Sequence, residues 1–124
     1  MATILIVDDE PDFRLILADI FTRAGFKTLE APDGRQALDM LSAAHADLVV
    51  VDWNMPILSG PEFCTEIRQH HDFDTLPIIM LTVRQQNVDH AEGIHQGADL
   101  YLTKPVDSEI LLTHVKSLLR RAQK

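Results

Sequence analysis

The stretch Asp47 to Asp52, "DLVVVD", sets four consecutive apolar residues, three of them β-branched, between two carboxylates. A short, unbroken run of this kind is what a strand covered on both faces looks like, and such strands belong to parallel sheets. The same pattern recurs in "TILIV" from Thr3 to Val7 and in "LPIIMLT" from Leu76 to Thr82, and a shorter version in "LYLTKP" from Leu100 to Pro105. "FKTLEA" from Phe26 to Ala31 alternates like a strand and stands second in chain order, while "LYLTKP" supplies the fifth.

Helical spacing fills the gaps between these runs. Pro11 suits an early helical position, and Phe13, Ile16, Leu17, Ile20, Phe21 and Ala24 recur at helical spacing until Gly25. Asp33 in "PDG" can cap a second helix that carries Ala37, Leu38, Leu41 and Ala44. After the loop "WNMPILSG", Pro61 can open a third helix with Phe63, Cys64 and Ile67 inward. A fourth, over residues 86–96, offers only Val88, Ala91 and Ile94 to a core and contains Gly93, so it is expected to be the most loosely held. Asp107 can cap a fifth helix with Ile110, Leu111, Val115, Leu118 and Leu119 in its apolar stripe. Strands alternating with helices predict a single doubly wound α/β domain, a parallel sheet with helices on both faces joined by right-handed crossovers.

With 124 residues and 46% hydrophobic content, the chain has enough apolar material for one proper core. Its net charge of −8 argues against binding nucleic acid or an anionic membrane. The single cysteine, Cys64, cannot form an internal disulfide, and no segment approaches a membrane span, so a cytoplasmic location is expected. His70 and His71 lie in a polar stretch, and the histidines in general have the distribution of solvated residues.

In open parallel sheets, ligands bind beyond the carboxyl ends of the strands. Asp8, Asp9, Asp52, Thr82 and Lys104 all fall at such ends. If Asp52 approached Asp8 or Asp9 to about 5 Å, each like-charge pair would cost on the order of 3 kcal/mol at an effective dielectric near 20. Either one carboxyl then stays protonated or a cation sits among them, and an all-oxygen set favours a hard dication such as Mg²⁺. Lys104 and the Thr82 hydroxyl would add a fixed positive charge and a neutral donor, the other parts of a phosphate site.

The motifs "VDDEP", "VVVDWNMPILSG", "LT" ending at Thr82 and "GADLYLTKP", with "APDGRQAL" in support, resemble the receiver domains of two-component response regulators over nearly the whole chain. The resemblance implies a flavodoxin-like, three-layer (βα)5 fold with strand order 2-1-3-4-5, and one receiver domain over residues 1–124. It implies that Asp52 accepts a phosphoryl group from a sensor histidine kinase or histidine phosphotransfer protein. Asp9, Asp52 and the backbone carbonyl of Asn54 would hold Mg²⁺, or Mn²⁺ in its place, with Asp8 helping, and Glu10 would be solvated at the helix entrance. Lys104 would pair with the phosphoryl oxygens and Thr82 would hydrogen-bond them, while Tyr101 turns inward. Lys104 to Pro105 would be a cis peptide. A downstream protein would read a face built from the fourth predicted helix, the fifth strand and the fifth helix. The first helix would receive the histidine donor.

The chain departs from the usual pattern at Val83, where a smaller residue is common, and Arg84 is expected to be solvated. The receiver would catalyse only its own phosphorylation and slow dephosphorylation and would not otherwise be an enzyme. A stand-alone receiver without an output domain is expected, the alternative being a piece of a longer DNA-binding regulator or hybrid kinase. Two other classes share parts of the pattern. A flavodoxin-like cofactor binder would want a phosphate-cradling first loop, where this chain has the anionic "DDEP". A haloacid-dehalogenase-type phosphatase would want a carboxylate at position 54, where this chain has Asn54.

Overall fold

A computed structural model describes residues 2–84 and 97–122. The strands are β1 (Thr3–Val7), β2 (Lys27–Ala31), β3 (Leu48–Asp52), β4 (Ile78–Thr82) and β5 (Leu100–Thr103). They form one parallel sheet in the order β2-β1-β3-β4-β5, as expected. Among the described residues the helices are α1 (Pro11–Arg23), α2 (Gly34–Ala43), α3 (Gly60–Arg68) and α4 (Ser108–Ala122), with a 3₁₀ turn at His71–Phe73. The predicted helix over 86–96 lies outside the described residues.

Alternation along the buried strands sends side chains to two separate cores. Leu5, Val7, Val49, Val51, Ile78 and Met80 pack with α2 and α3 residues such as Ala37, Leu41, Phe63 and Ile67. Ile4, Ile6, Val50, Ile79 and Leu81 pack on the opposite face with Leu17 and Phe21 of α1 and Leu111, Val115 and Leu119 of α4. The sheet is thus covered on both faces, which is why β3 and β4 carry no exposed residue.

Three expected core positions are corrected. Ile16 is 55% exposed and Ile110 is 54% exposed. Each neighbours a residue that does point inward, Leu17 and Leu111, and one step along a helix turns a side chain by about 100°. Ala44 is likewise exposed, because α2 ends before it and its backbone is extended. Cys64 is fully buried, and burial pushes its thiol up to about 12, so it serves as a small core residue.

The helix starts are set by side chains. Asp33 accepts from the Gln36 amide at 2.8 Å, and Asp107 accepts from the Glu109 and Ile110 amides at 2.9 and 3.1 Å. Asp47 closes the far end of the sheet by accepting from the Thr3 amide at 2.7 Å. No helix among the described residues is long and apolar enough to cross a membrane.

Candidate functional site

Strand register assembles the site. Val7 pairs with Val51, so the next residues, Asp8 and Asp52, end their strands level with each other. Asp52 pairs with Leu81 and Leu81 with Leu102. Lys104 lies two residues beyond Leu102, and Thr82 pairs with Thr103. Four strand ends therefore bring acids, a hydroxyl and an ammonium to one edge of the sheet.

Asp8 is 1% exposed and Asp52 is 7% exposed. The Lys104 ammonium lies between them, 2.9 Å from Asp8 Oδ2 and 3.2 Å from Asp52 Oδ1, with its own side chain 9% exposed. Asp8 Oδ1 also accepts from the Glu10 amide at 2.9 Å. Burial works against the charge on Lys104, but the hydrogen bond to Asp8 and the charges of Asp52 and Asp8 outweigh it and hold the ammonium above its ordinary range. Burial, reinforced by the Asp8 charge, pushes Asp52 up to about 6 in spite of Lys104.

That shift has a defined sign. The unfolded carboxyl ionises near 3.8, so above about pH 6 the folded chain carries a charge it disfavours. The cost is relieved as pH falls through 6 and is absent below 3.8. In chelator at pH 7.5, Asp52→Asn should therefore be more stable than the parent, by about 1–3 kcal/mol, with the advantage shrinking towards pH 4. Urea unfolding at the two pH values measures this, and a less stable Asn variant at pH 7.5 would contradict it.

The carboxylate oxygens of Asp8, Asp9 and Glu10 lie within 4.8 Å of one another. Asp9 and Glu10 are exposed while Asp8 is buried, so a cation there would be reached from solvent. A set of oxygen donors beside an acid whose carboxyl is held up by burial, and further by neighbouring negative charge, fits a hard divalent cation. Glu10 is solvated as expected, yet it also belongs to this acidic group and stands 3.8 Å from Lys104 Nζ. Asn54 is exposed in the loop two residues beyond Asp52.

Thr82 is buried at the end of β4, and its Oγ1 accepts from the Arg84 amide at 3.2 Å. Val83 and Arg84 are exposed beside it. Tyr101 is buried in this structure, with its Oη accepting from the Ala98 amide at 3.3 Å. The Lys104–Pro105 peptide is cis.

Two features of the site were not anticipated from sequence. Ser59 and Glu62 form a reciprocal capping box at the start of α3, an S-x-x-E spacing that was present in "SGPE". Gly60 follows the cap, and a Cβ there would meet the Asp52 carbonyl oxygen at 2.5 Å and the Trp53 Cα at 2.9 Å. The Gly60 amide donates to the Trp53 carbonyl at 2.9 Å, so α3 begins against the backbone that carries Asp52.

Fold and site together define a doubly wound α/β domain with an acidic, lysine-bridged edge. Residues 4–116 match the family described as response regulator receiver domain. A probable transcriptional regulator, ycf27 of Galdieria sulphuraria, is 41% identical over 121 residues, covering 98% of this chain and 46% of that protein. A signal receiver domain of a signal transduction histidine kinase from Syntrophus aciditrophicus superposes with a TM-score of 0.89 at 34% identity, covering 97% of this chain and 91% of that one. The response regulator TrrA of Thermotoga maritima, solved in complex with Mg²⁺-BeF, gives a TM-score of 0.84 at 33% identity, with 95% and 99% covered. The chain belongs to the response regulator receiver domain family, whose members are signalling proteins rather than classical enzymes and bind Mg²⁺ in an acidic pocket. It spans about half the length of the curated relatives it matches.

Proposed function

We propose that Asp52 accepts a phosphoryl group from a phosphohistidine on a kinase or phosphotransfer protein, and that the modified site changes how a protein partner reads the domain. The observation that carries this reading is the Lys104 ammonium held between two buried carboxylates, Asp8 and Asp52, at one sheet edge. With its carboxyl raised only to about 6, Asp52 is mostly ionised at neutral pH and can act as a nucleophile.

An Asp52 carboxylate oxygen forms a bond to phosphorus while the phosphorus–nitrogen bond to the imidazole breaks. The electron pair goes to the imidazole nitrogen, which takes a proton from solvent, and an acyl phosphate remains on Asp52. Lys104 transfers its hydrogen bond from Asp52 Oδ1 to a phosphoryl oxygen and keeps its contact with Asp8. Thr82, at the neighbouring strand end, turns its hydroxyl to the same group. Asp8, Asp9, Asp52 and the Asn54 carbonyl would hold Mg²⁺, or Mn²⁺, which when bound neutralises charge on the phosphoryl oxygens. Positioning and neutralisation supply the catalysis, so the domain acts only on its own aspartate.

The response would pass from Thr82 and Tyr101 to the surface that includes β5 and α4. Because the curated relatives are about twice as long, the reader of that surface is proposed only as a class, a protein either separate or joined to the same chain. A direct test is labelling with a small phosphodonor and Mg²⁺. The parent should take up one phosphoryl group and Asp52→Ala none, whereas equal labelling of both would sink the assignment.

A further inference from the structure

Among the described residues, three contacts of the Lys104 ammonium are carboxylates and the fourth is an aromatic ring. Nζ lies 2.9 Å from Asp8, 3.2 Å from Asp52, 3.8 Å from Glu10 and 4.2 Å from the centroid of Phe13. Phe13 stands in the first turn of α1, half-buried, and packs against the core cluster that contains Leu17, Phe21 and Leu81. Its ring is thus supported from below by the same core that fixes β4.

We propose that Phe13 is the positioning residue of Lys104, holding the ammonium at the phosphoryl site through the face of its ring. The inference rests on the phosphoacceptor reading of Asp52. An ammonium has three N–H donors, and the two short contacts to Asp8 and Asp52 occupy two of them. Glu10 is beyond hydrogen-bond distance. Water in place of the ring would offer an oxygen that competes with an incoming phosphoryl oxygen for the remaining donor. A ring face attracts the charge without fixing the direction of any N–H. The ammonium can therefore pivot from the Asp52 carboxylate to a phosphoryl oxygen while staying seated on Phe13. A lysine stem has enough rotamer freedom that such a seat matters to how often the charge is in place.

The test compares the parent, Phe13→Leu, which keeps an apolar side chain but has no ring, and Phe13→Tyr, which keeps the ring. Each is phosphorylated with acetyl phosphate at saturating Mg²⁺ and followed by intact mass. Phe13→Leu should lower the maximal rate by about three- to fivefold, with the half-saturating concentration of phosphodonor little changed. Phe13→Tyr should stay within about twofold of the parent. The ε-methylene protons of Lys104 should be shifted upfield by the ring in the parent and in Phe13→Tyr, and should lose that shift in Phe13→Leu. A parent-like rate in Phe13→Leu, or an equal loss in Phe13→Tyr, would overturn the proposal. So would unshifted Lys104 protons in the parent, a measurement that needs no variant to fold. If the parent takes up no phosphoryl group, or Asp52→Ala labels equally, the phosphoacceptor reading itself fails. Normal labelling at Asp52 with an indifferent ring removes only the role of Phe13.

Discussion

Lys104→Met should destabilise the domain by about 3 kcal/mol at pH 7.5 in chelator and slow phosphorylation of Asp52 by about a hundredfold. Both effects follow from one geometry. The ammonium bridges two buried carboxylates, and an apolar replacement leaves them facing each other without a counter-charge. Removing one partner of a buried charge set costs far more than removing an exposed pair, because the remaining charges stay desolvated. Lys104 also works against the upward push on Asp52, so without it the Asp52 carboxyl should take its proton at a still higher pH. The stability lost at pH 7.5 should accordingly be partly regained at pH 5.5. Urea unfolding at both pH values, with and without Mg²⁺, checks this. A loss that is the same at both pH values would mean that packing, rather than charge, is what Lys104 contributes.

Gly60→Ala should cost about 2–4 kcal/mol and also impair the site. The atoms a Cβ would strike, the Asp52 carbonyl oxygen at 2.5 Å and the Trp53 Cα at 2.9 Å, are backbone and cannot swing aside. Relief requires moving either the start of α3, pinned by the Ser59–Glu62 capping box, or the end of β3, pinned in the middle of the sheet. The neighbouring Ser59→Ala, which loses one cap hydrogen bond, should cost only about 1 kcal/mol. Thermal unfolding of the two variants separates close approach from capping, and equal losses would contradict the Gly60 argument.

The parts of the fold that were legible in the sequence are those governed by local pattern. The apolar runs Leu48 to Val51 and Ile4 to Val7 are buried on both faces, as expected of runs with no polar residue to face water. Asp33 and Asp107 announce their helices because an N-cap bonds to amides two or three residues ahead. The strand ends at Asp8, Asp52, Thr82 and Lys104 meet because a parallel sheet sends every carboxyl end to the same edge. What stayed hidden depends on residues far apart in the chain or on the edge of a pattern. Phe13 meets Lys104 only once α1 and β5 have packed on the sheet. Gly60 reads as an ordinary loop glycine until the return of the chain against Asp52 is known. Ile16 and Ile110 fit helical spacing, but spacing alone does not say where an apolar stripe stops and an exposed flank begins.

The most direct test of the central claim is to find the residue that carries the phosphoryl group. The chain is phosphorylated with acetyl phosphate and Mg²⁺, reduced with borohydride to convert an acyl phosphate into homoserine, digested and mapped by mass spectrometry. Homoserine at position 52, and at no other aspartate, is the predicted result. Homoserine at Asp8 or Asp9 with Asp52 intact, or a stable phosphate on a hydroxyl or histidine, would contradict it.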